Sequence, residues 1–266
     1  MIDLNRIYNE DCLEGMKRIP DKSIDCIICD LPYGTTSCKW DKIIPFEKLW
    51  EQYNRIIKDN GAICLFAIEP FASYLRLSNI NYYKYDWIWD KKHPTGQLNA
   101  KKQPLRQHEL VCIFYRKQCT YNPIMHTNRL SRSFVGKIRK SNKMSDNYGQ
   151  QYDYISNIHN NSKSYPRSII TQTAVIGNSS EKVAHPTQKP VALIEYLIKT
   201  YSNEGETILD NCMGSGTTAI ACINTKRNYI GFEIDKEYHE LSVKRINDLN
   251  TCLSPNKTTY RSAPTR

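Results

Sequence analysis

The segment Asp30-Leu31-Pro32-Tyr33 places a carboxylate, a proline and an aromatic ring directly after the apolar run 24–29. Proline pushes the residue before it into an extended conformation. The Asp30 carboxylate and the Leu31 carbonyl then form neighbouring acceptors, which suit the two N–H donors of an exocyclic amine. Tyr33 is placed to stack on an extruded base. The segment predicts a site that holds a nucleobase amine and aims its lone pair at an electrophile; the alternative is a turn that closes a strand.

A second segment, 207–222, has the pattern of a strand, a tight turn with Gly214 and Gly216, and a helix. Glycines let the backbone approach a ligand, and the N–H groups of the helix terminus face the crevice. Glu233 follows the next predicted strand, 23 positions after Asp210, where an acid can accept hydrogen bonds from both ribose hydroxyls. The segment predicts a nucleoside cofactor, with an ordinary glycine-rich turn as the alternative. No Gly-Lys-Ser/Thr follows, and the full GxGxxG is missing, so a ligand without a pyrophosphate is favoured.

Alternating strands and helices must position these residues. Six short apolar runs predict buried strands, at 24–29, 62–68, 86–89, 110–115, 207–209 and 229–232. Apolar residues recur at three- and four-residue steps in 45–58, 190–201 and 236–249, which predicts helices. Pro190 stands at a first helical turn, where proline is tolerated. The alternation predicts an α/β domain with a mainly parallel sheet.

These segments resemble the catalytic and cofactor motifs of the DNA amino-methyltransferases that use S-adenosylmethionine, over about residues 4–250. Their order, with the catalytic motif first, resembles that of the beta group. The resemblance implies a Rossmann-like methyltransferase fold, a mostly parallel sheet flanked by helices, with circularly permuted motif order and a target-recognition insert. We accordingly expect a catalytic half at 1–115, the insert at 116–182, a cofactor-binding half at 183–250 and a tail at 251–266.

The resemblance also implies roles for individual residues. Within His185-Pro-Thr-Gln-Lys189-Pro190, it places Thr187 and Lys189 at the carboxylate of the cofactor's methionine. The segment Asn9-Glu-Asp11-Cys12 resembles the family's segment at the adenine ring. The remaining cofactor contacts that it implies are Asp30, Asp210, Met213, Gly214, Ser215, Gly216, Thr217, Thr218 and Glu233.

The implied reaction is methyl transfer from S-adenosylmethionine to N6 of an adenine flipped out of duplex DNA, leaving S-adenosylhomocysteine. Asp30, Leu31, Pro32 and Tyr33 would form the catalytic motif. Asp at the first position favours adenine-N6, whereas cytosine-N4 enzymes more often have Ser. Leu31 replaces the more usual proline but keeps the carbonyl, while Asn211-Cys212 replace the common Pro-Phe beside the cofactor. The alternatives are a cytosine-N4 or RNA-adenine enzyme, a glutamine methyltransferase, a catalytically silent DNA-binding module and a nicotinamide-dependent oxidoreductase.

Positive charge is concentrated in the predicted insert. The 266-residue chain has a formal net charge of +10, and segment 116–182 holds eleven basic and three acidic residues. Five tyrosines interleave these charges, which favours a surface that meets phosphates and bases. We expect phosphate contacts from Arg129, Arg132, Lys137, Arg139, Lys140 and Lys143, and contacts near the extruded base from Lys39 and Trp40. Double-stranded DNA is the expected partner.

Other features set further expectations. No apolar run approaches ~18 residues and the first residues lack a basic, then apolar, stretch, so we expect a cytoplasmic protein with no membrane span and no secretory signal. Cys26 and Cys29 would point to opposite faces of a strand, so we expect reduced cysteines and no metal site. His108-Glu109 resembles an acid–base pair but is interpreted as structural, or as lining the DNA side of the cleft. The sequence leaves open whether the protein dimerises or acts with a restriction endonuclease.

Overall fold

A computed structural model describes residues 2–35, 41–127, 163–177 and 179–253. It divides the chain into two units, Met1–Asn122 with Ser168–Arg266, and Pro123–Arg167. In the second unit, the short strands β6 (His126–Thr127) and β7 (Lys163–Ser164) pair antiparallel. Residues 116–122 and 168–182 of the predicted insert therefore belong to the first unit.

The first unit contains an eight-stranded sheet. Its strands are β1 (Arg6–Tyr8), β2 (Ile24–Asp30), β3 (Ile57–Ala67), β4 (Tyr83–Thr95), β5 (Arg106–Phe114), β8 (Ile169–Thr171), β9 (Thr207–Asp210) and β10 (Asn228–Phe232). Their order is β1-β10-β9-β2-β3-β5-β4-β8. Every described pairing within this sheet is parallel except those of β5, which runs against both of its neighbours. The mostly parallel α/β sheet predicted from the sequence is confirmed.

Helices cover both faces of this sheet. They are α1 (Cys12–Met16), α2 (Phe46–Ile56), α3 (Phe71–Ser78), α4 (Val191–Tyr201), α5 (Thr217–Asn224) and α6 (Lys236–Leu253). The first three helices contribute to one apolar core and the last three to another. Strand β2 separates the two cores, since Ile27 and Cys29 pack into the first, and Cys26 and Ile28 into the second. The alternation follows from the two-residue period of a strand, and it confirms that Cys26 and Cys29 face opposite ways.

The predicted strands and helices are present, with two kinds of difference. The helix predicted over 45–58 ends at Ile56, because Ile57 turns extended, with a ψ of 138°, and begins β3 at once. The strands β1, β6, β7 and β8 and the helices α1 and α3 were not predicted from the sequence; all are eight residues or shorter. Within the described ranges, none of the helices is long and apolar enough to cross a membrane.

The connections change faces at the centre of the sheet. Strand β2 is followed by α2 on one face, whereas the neighbouring β9 is followed by α5 on the other. Such a switch point leaves a crevice beyond the carboxyl ends of the two strands, where ligands bind in open α/β sheets. Asp30 ends β2 and Asp210 ends β9, so both carboxylates lie at this crevice.

Candidate active site

The crevice brings together nine of the sixteen residues that the sequence selected for catalysis or cofactor binding; Asp11, Cys12, Leu31, Pro32, Tyr33, Gly216 and Glu233 do not line it. It is lined by Asp30, Thr187, Lys189, Asp210, Met213, Gly214, Ser215, Thr217 and Thr218, and also by Ile28, Phe66, His185, Gln188, Ile194 and Cys212. A larger open groove of about 520 Å³ lies near Asn5, Gly205 and Lys226, and none of the predicted site residues lines it. The chemistry-bearing residues therefore converge at the switch point between β9 and β2.

Both oxygens of the Asp30 carboxylate accept hydrogen bonds from protein donors. The Tyr33 hydroxyl donates to Oδ1 and the Lys189 ammonium donates to Oδ2, each at 2.5 Å. Lys189 is 159 positions away in the chain and reaches Asp30 from the segment that leads into α4. The sequence analysis expected Lys189 at the cofactor's carboxylate; in this structure its ammonium contacts the carboxylate of the catalytic motif.

The rest of the catalytic motif is packed against the protein. Leu31 is buried, and the Tyr33 ring lies against Phe71 with 5.0 Å between ring centres. Gly34, with a φ of +68°, turns the chain after the motif, and its N–H donates to Asp41 at 2.8 Å. Asp41 also accepts the N–H of Thr35 at 2.9 Å, so one carboxylate fixes the end of the loop.

Glycines shape the turn between β9 and α5. Gly214 has a φ of +52°, and a Cβ there would lie 3.0 Å from the His185 Nε2, so only glycine leaves this approach open. Gly216 has a φ of +77°, and a Cβ there would meet the Ser242 Cβ of α6 at 2.9 Å. Gly216 therefore permits close packing of the turn on α6, whereas Gly214 leaves room beside the crevice.

Asp210 and Glu233 anchor the same turn from two neighbouring strands. Asp210 accepts the Thr218 hydroxyl at 2.5 Å and the Cys212 N–H at 3.0 Å. Glu233 accepts the N–H of Gly214 at 2.7 Å and that of Asp235 at 2.8 Å. The two carboxylates hold both ends of the turn through backbone and hydroxyl donors. Each Glu233 oxygen keeps a second lone pair that a ligand hydroxyl can use.

The α6 side of the turn is fixed by an arginine that the sequence analysis did not select. Arg245 donates from Nη1 to the Ser215 carbonyl and to the Thr217 hydroxyl, both at 3.1 Å. The hydroxyls of Ser215 and Thr217 also bond to each other at 3.1 Å. Met213 donates its N–H to the Phe232 carbonyl at 2.8 Å, which ties the turn to β10. No local pattern marks Arg245, because its partners lie about thirty positions away in the chain.

The N-terminal segment meets the turn through backbone and sulfur contacts. The Asp11 carboxylate caps α1, accepting the N–H of Leu13 at 2.8 Å. The amide of Asn211 lies 3.6 Å from the Sγ of Cys12 and from that of Cys212. The Tyr53 hydroxyl donates to Oδ1 of the same Asn211 side chain. A polar amide among thiols thus forms the wall where the sequence departs from the family pattern.

His185 and Thr187 face the turn from the segment that precedes α4. The Nδ1 of His185 accepts the Thr187 N–H at 3.3 Å, and the His185 ring lies 4.4 Å from the Tyr238 ring, centre to centre. Burial and the neighbouring lysines and arginine lower the pKa of His185 to about 4, so the ring is neutral near pH 7. His185 begins the segment 185–190, but no role for its side chain was predicted from the sequence.

Burial also perturbs the carboxylates of the crevice. It raises the pKa of Asp210 to about 6, although Thr218 opposes the shift. Burial raises the pKa of Asp30 as well, against the effect of Lys189. Burial disfavours the charged form of Lys189, yet the carboxylates of Asp30 and Glu109 raise its pKa above the ordinary value. Perturbed groups that converge in a cleft are typical of functional sites.

The arrangement fits an adenosine-containing cofactor without a pyrophosphate. Glu233, with most of its surface buried, presents its carboxylate at the end of β10, and the Asn9 amide donates to the Glu233 carbonyl at 2.8 Å. The opening beside Gly214 is one that a Cβ would fill. No group of three or more His, Cys, Asp or Glu side chains suited to a metal ion occurs among the described residues.

Several expectations fall on residues that lie outside the described ranges. They are the proposed DNA contacts Lys39, Trp40, Arg129, Arg132, Lys137, Arg139, Lys140 and Lys143. The eight cysteines with described side chains are free thiols, and seven of them are buried. Trp87 and Trp89 are buried in the sheet, which is typical of side chains that pack between strands and helices.

Comparisons with known proteins agree with this geometry. A family model described as DNA methylase, covering N6 and N4 enzymes, matches residues 24–244. The type II methyltransferase M.HpaI of Haemophilus parainfluenzae is 29% identical over 254 residues, which cover 91% of this chain and 74% of that protein. The type II methyltransferase M1.MboII of Moraxella bovis is 27% identical, with 90% and 95% covered. The crystal structure of an M1.HpyAVI–SAM complex has a TM-score of 0.61 and 26% identity, covering 91% of this chain and 98% of that one.

Proposed function

Because the chain belongs to the DNA methylase family that covers N6 and N4 enzymes, we propose that it methylates the N6 amino group of adenine in double-stranded DNA. The protein is a site-specific DNA methyltransferase that uses S-adenosylmethionine, and its fold is Rossmann-like. The observation that carries the adenine proposal is the Asp30 carboxylate at the carboxyl end of β2, beside the Leu31 carbonyl. Asp at this position favours adenine, by the family resemblance.

The proposed role of the catalytic motif is to hold and orient the amine. Asp30 and the Leu31 carbonyl would accept its two hydrogens, which draws the nitrogen lone pair out of conjugation with the ring. Pro32 keeps the two acceptors adjacent, and Tyr33 would contact the face of the flipped base. Bound S-adenosylmethionine supplies a methyl group on a positively charged sulfur. The carboxylate of Asp30 also favours the positive charge that develops on the attacked nitrogen, so catalysis rests on orientation and electrostatics.

The proposed cofactor contacts lie on the turn and on its neighbours. We propose that Glu233 accepts the ribose hydroxyls and that the Asp11–Cys12 segment lies at the adenine ring. Thr187, Lys189, Asp210 and the residues Met213, Gly214, Ser215, Gly216, Thr217 and Thr218 would surround the methionine part. The Lys189 ammonium contacts two carboxylates of the protein, those of Asp30 and Glu109.

The basic segment is the proposed contact for the DNA backbone. We propose that the insert at 116–182 binds phosphates through Arg129, Arg132, Lys137, Arg139, Lys140 and Lys143, with Lys39 and Trp40 near the flipped base. Support comes from its surplus of eight positive charges, since phosphate neutralisation supplies much of the affinity for DNA. We expect the protein in the cytoplasm, associated with DNA.

Two measurements test the proposal. Nucleosides digested from DNA that the protein has methylated are expected to contain N6-methyladenine by mass spectrometry, and N4-methylcytosine alone would refute the adenine assignment. Asp30→Ala should keep its affinity for S-adenosylmethionine and lose methyl transfer by about 100- to 1,000-fold, as when one electrostatic stabiliser is removed. Transfer near the wild-type rate by that variant would refute the role of Asp30.

A further inference from the structure

A chain of four buried or half-buried charges of alternating sign runs from the interior of the sheet to the catalytic motif. The Lys91 ammonium lies 3.1 Å from Glu109 Oε1, and the Lys189 ammonium lies 3.4 Å from Glu109 Oε2 and 2.5 Å from Asp30 Oδ2. Lys91 and Lys189 are each less than a tenth exposed. A buried charge is costly unless it is paired, so each of these four side chains keeps its charged form through its oppositely charged neighbours.

The sheet explains why Glu109 reaches this place. Strand β5 is antiparallel to β3, so β5 begins at the edge where the parallel strands end. Leu110 pairs with Ala67, the last residue of β3, and Glu109 therefore lies just beyond the carboxyl end of that strand. On the other side, Glu109 pairs with Trp89 of β4, two residues before Lys91. Residues two apart in a strand point to the same face, which accounts for the contact between Lys91 and Glu109.

The two oxygens of Glu109 differ in their hydrogen bonding. Oε1 accepts a hydrogen bond from Lys91, whereas Oε2 is buried and has no well-formed hydrogen bond among the described residues. The Lys189 ammonium lies 3.4 Å from Oε2, a distance from which a small movement would complete the bond. Buried acceptors are almost always satisfied, so an unsatisfied one facing a shared ammonium points to a second position for that ammonium.

The proposed reaction favours such a second position. In the structure, Lys189 neutralises Asp30 and donates to one of its oxygens. A target amine held by Asp30 would share the carboxylate with this ammonium, and the carboxylate offers less stabilisation to the developing positive nitrogen while Lys189 stays on it. Resting on the proposed role of Asp30, we propose that Glu109 is a positioning residue which takes the Lys189 ammonium from Asp30 when the target amine binds. Lys91 holds Glu109 in place for this exchange.

The electrostatic surroundings are consistent with the exchange. Among the described residues, the charged and titratable groups around Asp30 are Lys189, Glu109, Tyr33, Asp210 and the Cys29 thiol. Burial alone would raise the pKa of Glu109, but Lys189 and Lys91 hold it below the usual value, so Glu109 remains an anion. Glu109 in turn raises the pKa of Asp30 by like-charge repulsion.

Glu109→Gln tests the exchange, because it keeps the shape and removes the charge. We expect kcat for transfer of tritiated methyl to unmethylated plasmid DNA to fall about 10- to 100-fold, the range for residues that orient a reacting group. The KM for DNA should change little, since phosphate contacts dominate DNA affinity. Calorimetry should show unchanged affinity for S-adenosylmethionine. The acid limb of the pH–rate profile should move to lower pH, because Asp30 loses a like charge and keeps Lys189.

Matched variants separate positioning from a structural role. Asp86→Asn removes another half-buried carboxylate of the same sheet, which pairs with Arg76 at 3.3 Å and has one oxygen that accepts no hydrogen bond from the part of the chain that the structure describes. It should leave kcat within about twofold of wild type once folding is confirmed by thermal unfolding. Glu109→Asp retains the charge and should recover part of the lost rate. Should Glu109→Gln fail to fold, Lys91→Gln is expected to lower kcat in the same direction, because it frees Glu109.

Two results would overturn the exchange: a kcat for Glu109→Gln within twofold of wild type, or an acid limb that does not move. If Glu109→Gln fails to fold, an unchanged kcat in Lys91→Gln would overturn the exchange instead. The proposed function is tested apart from it. An inactive Asp30→Ala together with a fully active Glu109→Gln rejects only the exchange. A fully active Asp30→Ala rejects the proposed catalytic role itself.

Discussion

Replacing Glu233 by Gln gives the sharpest test of the cofactor site. The carboxylate accepts two backbone N–H groups, from Gly214 and Asp235, and its neutral counterpart can accept only one of them through its remaining oxygen. A hydrogen bond to a charged group contributes about 1.5–3 kcal/mol. Burial, however, raises the pKa of Glu233 despite these two bonds, so the charged form is costly to keep in the folded state.

These opposing effects predict a small loss of stability and a larger loss of cofactor affinity. The amide relieves the cost of the buried charge, so we expect the free energy of unfolding to fall by only about 1 kcal/mol. If the carboxylate also accepts the ribose hydroxyls, losing one charged acceptor should weaken cofactor binding by about 1.5–3 kcal/mol, which is about 10- to 150-fold in Kd. A purely structural glutamate would lower stability at least as much as affinity.

The assay needs no DNA and no knowledge of the recognition sequence. Titration calorimetry with S-adenosylmethionine and with S-adenosylhomocysteine gives the affinity, and urea unfolding gives the stability. Glu206→Gln is the matched control, because Glu206 also accepts a backbone N–H, that of Asn203 at 2.8 Å, but at the other end of β9. The reasoning fails if Glu233→Gln changes Kd no more than Glu206→Gln does.

Two further variants test the turn and its histidine. Gly216→Ala should lower the free energy of unfolding, measured in urea, by about 2–4 kcal/mol, because it adds left-handed strain and a contact with Ser242. Gly96 is the control, since it has a φ of +94° but nothing within 4 Å of an added Cβ, and Gly96→Ala should lose only about 1–2 kcal/mol. Equal losses in the two variants would contradict the packing of Gly216 on α6. His185 has a pKa of about 4 in the folded protein against 6.5 in the unfolded chain. Its neutral ring therefore contributes about 2–3 kcal/mol to the free energy of unfolding above pH 6.5, and this contribution is lost as the pH falls towards 4. His185→Gln should therefore flatten the pH dependence of stability over that range, and an unchanged slope would refute the assignment.

The strands that carry the site could be predicted because their signals are local. The run before Asp30 is apolar on both faces, which is typical of a strand buried between two helical layers. The turn at Gly214 and Gly216 requires positive φ at both positions, and glycine meets that requirement at little cost. The motif residues and the predicted strand ends therefore indicate the same edge of the sheet.

The contacts that adjust the chemistry could not be predicted in this way. Lys189 pairs with Asp30 across 159 positions, and Arg245 bonds to the turn across about thirty. Such pairs depend on strand order and on which helix covers which face, and neither is encoded in a short window. Strand β1 was missed for the same reason, since its three residues pair in register with β10, more than 200 positions away.

The strand order also explains why a permuted motif order leaves the site intact. Strands β2 and β9 are neighbours in the sheet, although more than 170 residues separate them in the chain. Parallel strands present their carboxyl ends at one edge whatever the order in which the chain visits them, so Asp30 and Asp210 meet without any local connection. The antiparallel β5 brings its beginning to the same edge and so delivers Glu109 there. The candidate site is therefore defined by positions along one edge of the sheet, and Lys189 joins the segment before α4 to the end of β2 through its bond to Asp30.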